Sequence, residues 1–247
     1  MTDLGDLLWF GVGVLVLTGL TVALATWARV GLGLAPATAI ARAVVQLTVV
    51  ALLLRGILSV PWTVVAFLAL MLATASWTAA GRLRGLRHGR RIALVGVVAG
   101  AGASAVLVFS LQMVDFEVRY VVAVAGILIG NAMSAATLAG RTFARDSRAR
   151  RDEVEGWLSL GATASQAHDE IGRTAVRETL LPNLDQTRST GLVTLPGAFV
   201  GALFGGASPA EAALFQLAVL SGIGLTSIVA AVVVTRLAGR TPYVVVD

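Results

Sequence analysis

Few side chains in this 247-residue chain are equipped for chemistry, and the missing ones are the most informative. There is no cysteine, which removes disulfides, thiolate metal sites and cysteine nucleophiles. All nineteen basic residues are arginine. Without lysine the chain can neither place an ammonium group on the β- and γ-phosphates of a P-loop nor form a Schiff base. His88 and His168 both lie in arginine-rich stretches, and neither has a ligand-type residue three or four positions on. No Ser/His/Asp or zinc-type spacing occurs, so no catalytic residue and no metal ligand is expected. Iron prefers oxygen and imidazole ligands, yet no carboxylate stands inside the body of an apolar stretch. The same gap argues against proton-coupled transport, which runs on buried carboxylates or histidines. A protein of this kind needs its energy from a partner.

The elements that must carry these residues are membrane helices. The chain is 57% hydrophobic and only 13% charged, with a mean hydropathy of +0.84. A soluble domain carries about 25% charged residues. Apolar runs long enough to cross a ~30 Å hydrocarbon core recur along it, so the expected fold is an all-α polytopic membrane protein of about seven spans, one permease domain over residues 1–247. The spans fall near 7–27, 37–58, 62–80, 92–111, 120–139, 187–204 and 213–237. The first is not a signal peptide, since Asp3 and Asp6 stand where a basic segment is needed.

Arginine placement sets the orientation, because cytoplasmic loops accumulate it. With the N-terminus outside, Arg29, the group Arg82/Arg84/Arg87/Arg90/Arg91, the long polar insert, and Arg236/Arg240 all become cytoplasmic. Arg55 and Arg119 fall on the far side with Asp3, Asp6, Asp115, Glu117 and Glu211. The C-terminus is then inside. The net charge of +5 is a topology signal; no basic patch interleaved with aromatics suggests nucleic acid.

The insert, about 141–182, breaks at Trp157-Leu158-Ser159-Leu160-Gly161-Ala162-Thr163. Val154, Trp157 and Leu158 share a helix face, Gly161 stops that helix, and Thr163 with Gln166 forms a capping box for the next. Asp169 and Arg173 pair four apart, and Pro182 is expected to end the second helix. Two readings fit such an elbow: a linker hairpin lying on headgroups, or a coupling helix inserted into a soluble motor.

Resemblance to known permeases separates them. The spacing Glu155-x5-Gly161 resembles the EAA-x3-G loop of ABC importer permeases, which docks on the ATPase. Leu158-Ser-Leu-Gly-Ala-Thr163 resembles the matching segment of FetB-type permeases of ABC transporters, a family tied to iron export. The likeness continues in Leu181-Pro182, Thr190-Gly-Leu-Val-Thr-Leu-Pro-Gly197, Gly205-Gly206, Ser208-Pro209 and Ala212-x2-Phe215-Gln216, and upstream in Arg42-Ala-Val-Val-Gln46-Leu47 and Gly130-Asn-Ala-Met133. Two methionines common after Leu-Pro-Gly are replaced here by Ala198 and Phe199, and a tyrosine by Phe215. The resemblance implies a non-enzymatic permease of the bacterial plasma membrane, a homodimer that docks two copies of a cytoplasmic ABC ATPase. ATP and Mg would sit on that partner, with no cofactor on this chain, and the cargo would be iron or another metal ion. Glu155 and residues Trp157 to Thr163 would form the coupling site. The rival reading is an ATPase-independent carrier or lipid-handling membrane protein.

Several intramembrane residues are candidates for the pathway or its gate. Arg42 and Gln46 share a face of the second span, where Arg42 also suits snorkelling to the headgroups. Asn131 is expected to be hydrogen-bonded inside the bundle. Asp185 stands at the cytoplasmic mouth of the sixth span, within reach of Arg188. Pro196 should kink or unwind that span, and the matched segments add Thr194 and Gln216. Gly126 and Gly130, like Gly197, Gly201 and Gly205, form G-x3-G steps suited to helix packing, as do Gly96 and Gly100.

Overall fold

The computed structural model describes residues 4–57 and 61–242. Asp3, Leu58 and the side chain of Arg55 lie outside the described part. Ten helices are formed there: α1 (Leu4–Trp27), α2 (Ala35–Ile57), α3 (Pro61–Arg82), α4 (Gly89–Ser110), α5 (Val118–Ala149), α6 (Arg151–Ser159), α7 (Ala164–Ala167), α8 (Asp169–Ser189), α9 (Gly197–Phe204) and α10 (Pro209–Ala238). The chain is an all-helical polytopic membrane protein; among the described residues, six helices (α1 to α5 and α10) are long and apolar enough to span a bilayer.

Two units separate at residue 60. The first is the helical hairpin of α1 and α2, turned by Arg29, Gly31 and Gly33, all at positive φ. The second holds α3 to α10, with its core among α3, α4, α5 and α10.

That core is built from small side chains: Ala79, Ala93, Ala132, Ala136, Ala139 and Ala231 are all buried. Lipid removes the hydrophobic drive that would hold two helices together in water, so close backbone approach must supply the attraction. Gly96 and Gly100 provide it on α4. A methyl group on Gly100 would lie 2.8 Å from the Thr226 carbonyl oxygen and 2.9 Å from the Ala230 Cβ, and one on Gly96 would lie 2.6 Å from Val234. α10 therefore nests directly on the backbone of α4.

The other expected glycine steps behave differently. Gly126 faces only the end of Met71, at 3.2 Å, and Gly130, Gly197 and Gly201 have open space where a side chain would stand. Gly205 meets only its own preceding turn. Among the described residues no neighbouring helix faces Gly130 on α5, or Gly197 and Gly201 on the short α9.

The sixth expected span is discontinuous. Residues 187–204 comprise the end of α8, an irregular link at 190–196, and α9, whose eight residues cover only about 12 Å. The chain nevertheless travels beside α10. Gly172 faces Thr235, Asn183 bonds to Ser227, and Phe199 bonds to Gln216, so α8 and α9 climb antiparallel to it.

Gly100→Ala should lower the thermal stability of the detergent-solubilised chain by roughly 1–3 kcal/mol, the usual cost of overpacking. Gly201→Ala should be neutral or slightly stabilising, because a helical glycine gains about 0.5–1 kcal/mol as alanine. Equal losses in the two melting curves would contradict the packing described.

Candidate coupling elbow and broken helix

The elbow follows the longest helix of the fold. α5 has 32 residues, about 48 Å of helix, and its last turns are polar. α6 follows after a one-residue break at Arg150. Its Val154 is buried and its Leu158 packs partly against the core, while bidentate Arg150–Glu153 bonds of 2.7 Å and an Arg151–Glu155 bond of 2.7 Å brace its outer face. The Arg150 guanidinium holds the Glu153 carboxyl below the ordinary carboxylate range.

Gly161 ends α6 with φ +89. The amide of Ala162 donates to the Trp157 carbonyl (3.0 Å) and that of Gly161 to the Leu158 carbonyl (3.0 Å), which is the Schellman pattern. The next helix opens with the expected capping box: the Thr163 amide donates to Gln166 Oε1 (2.8 Å) and the Gln166 amide to Thr163 Oγ1 (3.3 Å). Two rigid caps back to back leave only Leu160, Gly161 and Ala162 between them. Leu160 is 83% exposed at the tip. Beside it lies a cleft of about 680 Å³ lined by Trp157, Ala162, Ser165, Gln166 and Asp169. Ser159 donates only to the Glu155 carbonyl of its own helix.

His168 ties this assembly to the bundle. It is buried, its Nδ1 lies 2.8 Å from the Ala164 carbonyl, and its ring stands 5.7 Å from that of Phe143 on α5. Gly239 at the foot of α10 is so close that a side chain there would meet His168 at 3.3 Å. Nothing in the local pattern around His168 marks it for this role; burial alone reveals it.

α8 then runs without interruption to Ser189. Pro182 does not end it, contrary to the expectation, although the proline removes one i to i−4 bond. Tertiary contact holds the helix through that point: Asn183 Nδ2 donates to Ser227 Oγ at 2.6 Å, across to α10. Its exposed side carries Asp185, Gln186 and Arg188, with Asp185 and Arg188 3.6 Å apart.

The link at 190–196 pairs much of its own backbone. Val193 and Thr194 amides donate to the Ser189 carbonyl (3.0 and 3.1 Å), the Gly191 amide donates to the Thr194 carbonyl (2.8 Å), and Thr190 Oγ1 donates to the Gln186 carbonyl (2.8 Å). Gly191, at φ +96, makes the reversal possible. The tip is apolar, with Leu192 101% and Val193 80% exposed. Pro196 unwinds the segment as expected, and stands as the N-cap residue of α9 rather than at a kink within a span. Its side chain cannot cap. Instead the buried Gln216 on α10 reaches across, its Oε1 accepting from the Phe199 amide at 3.1 Å.

The expected pathway residues are therefore dispersed. Thr194, Pro196 and Gln216 belong to the link and α9, and Asp185 stands on α8 just before them. Arg42 and Gln46 are exposed on α2, in the other unit. Asn131 is half-buried and donates to the Ile127 carbonyl of its own helix at 2.9 Å. The hydrogen bond expected for Asn131 is thus made within α5, while Asn183 and Ser227 make one between α8 and α10. Among the described residues no group of three metal-type side chains converges.

Comparison with known proteins decides the family. The profile of the Uncharacterised protein family (UPF0014) matches residues 9–243. The chain belongs to the UPF0014 family. Its relatives in that family include the UPF0014 membrane protein STAR2 of Oryza sativa subsp. japonica, 35% identical over 88% of this chain and 77% of that protein. Another similar protein is ALUMINUM SENSITIVE 3 of Arabidopsis thaliana, 34% identical over 74% of this chain and 67% of the relative. The probable iron export permease protein FetB of Escherichia coli strain K12 is 29% identical over 77% of this chain and 76% of its own length. No solved structure matches.

Asn183→Ala should cost about 1 kcal/mol, the usual worth of a hydrogen bond between membrane helices. Thr163→Ala should cost a similar ~1 kcal/mol through loss of the cap. Melting curves read the first. Limited proteolysis reads the second, as faster cutting near residue 161; unchanged cutting would deny the cap its role.

Proposed function

We propose that this family member is the permease subunit of an ABC transporter that exports iron or another metal ion, powered by a separate cytoplasmic ATPase. The observation that carries this reading is mechanical. A doubly capped apolar elbow at Leu160 is joined, through His168 and an unbroken α8, to a broken helix beside α10. Force applied at Leu160 reaches the link at 190–196 through covalent helix and side-chain contacts. A loop merely joining two spans has no use for such stiffness.

Residues 1–247 act together as one permease domain of the bacterial plasma membrane. Six long helices cross the bilayer and α8 with α9 makes a seventh, discontinuous crossing. The N-terminus is outside, and the elbow and the C-terminus are in the cytoplasm. Irregular backbone at membrane depth is tolerated where it faces protein or a wet cavity, which suits a link that gates a pathway. Two copies assemble, and two ATPases bind ATP and Mg beneath them; this chain binds neither. The iron in this reading comes from the likeness to the probable iron export permease FetB.

Leu160→Asp and Gly161→Pro should each abolish co-purification of the partner ABC ATPase, with membrane insertion unchanged. The first places a charge in an apolar socket; the second forbids φ +89. Wild-type recovery of the ATPase by both variants would rule out the elbow as the docking site. Uptake into inverted vesicles that proceeds without ATP would instead support a self-powered carrier.

A further inference from the structure

A second cleft, of about 750 Å³, opens between α8 and the foot of α10. Four arginines line it: Arg173 and Arg177 on α8, Arg236 on α10 and Arg240 just beyond its end. Arg173 has Asp169 as a partner, but among the described residues no ion pair engages Arg177, Arg236 or Arg240. Each pair is spaced four apart, where like charges repel, and the two pairs share one cleft. Further along α8 the lining turns apolar at Leu181 and Leu184, both exposed.

A cationic end beside an apolar end matches one chemistry, an anionic head on a hydrocarbon tail. Guanidinium forks bind phosphate oxygens two at a time. An inorganic anion would leave the leucines uncovered, and an acidic protein surface would waste them. We infer that this cleft binds an anionic phospholipid of the cytoplasmic leaflet, its phosphate held between the arginines of α8 and α10 and an acyl chain lying along Leu181 and Leu184. The inference rests on the orientation proposed above. Basic pockets between membrane helices on that side are suited to such headgroups. The lipid would tie α8 to α10 next to the elbow, since Asp169 and Ser165 border both clefts.

The test uses the full chain in detergent, without ATPase, titrated with phosphatidylglycerol or phosphatidylcholine and read by native mass spectrometry. Phosphatidylglycerol should be retained and phosphatidylcholine should not. The triple variant Arg177→Ala, Arg236→Ala, Arg240→Ala should weaken retention on the order of a hundredfold, at roughly fivefold for each arginine. A control removing Arg82, Arg141 and Arg148 from the smaller cleft of about 450 Å³ should stay near wild type. Leu181→Gln with Leu184→Gln, at exposed positions that leave folding intact, should weaken the lipid and leave inorganic phosphate binding unchanged. Equal retention of the two lipids, or equal loss in both arginine triples, would overturn the assignment in favour of general surface attraction. Displacement of phosphatidylglycerol by equimolar inorganic phosphate would replace the lipid with a free anion. Displacement by added ATPase, with the arginine triple losing ATPase binding, would replace it with an acidic protein surface. Because the titration contains no ATPase, a failure of elbow docking leaves its result unchanged.

Discussion

The register of α8 against α10 is the constraint on which the rest depends. It is set at the foot by His168, wedged between Phe143 and Gly239, and higher up by the 2.6 Å Asn183–Ser227 bond. α10 is itself immobilised on α4, because Gly100 lets the Thr226 carbonyl approach closer than any side chain would allow. A movement of the elbow therefore has few places to go. The bundle behind α10 is close-packed, whereas beyond Asn183 the chain has an exposed link and a helix with no buried residue. Compliance is concentrated at the upper end.

In the proposed crossing, that upper end must pair its backbone groups or turn them toward protein or water. The link at 190–196 turns its amides onto the Ser189 and Thr194 carbonyls, and Gln216 lends its side chain to the start of α9. Each device is local and reversible. A segment whose hydrogen bonds are made within itself or to a single side chain can be repositioned without breaking a helix-long ladder, which suits the proposed gate.

The parts legible from sequence were those whose chemistry is local. Gly161 and the Thr163–Gln166 box could be read because both caps need particular residues at fixed offsets, and the alternation of apolar and arginine-rich segments revealed a polytopic fold. Misreadings occurred where tertiary contact overrode local rules. Pro182 looked like a terminus, but Asn183 on its far side is anchored to a residue 44 positions away. The stretch 187–204 looked like one span because hydropathy averages over Gly191 and Pro196, which together uncoil its centre. Gly197 and Gly201 follow the same G-x3-G pattern as Gly96 and Gly100, and only the presence or absence of a facing helix distinguishes them. His168 could not be found by spacing at all.

In the proposed mechanism, work done at the elbow arrives at the link. The chain lacks cysteine, so spin labels can be placed singly and cleanly. Leu192→Cys and Leu107→Cys put one label on the link and one on α4, both at exposed sites within the same unit. Pulsed electron–electron distance measurements on the permease–ATPase complex should show the Leu192–Leu107 distribution shift when ATP and Mg are added, and revert when the elbow carries Leu160→Asp. A distribution indifferent to ATP, with the ATPase bound and turning over, would contradict the claim.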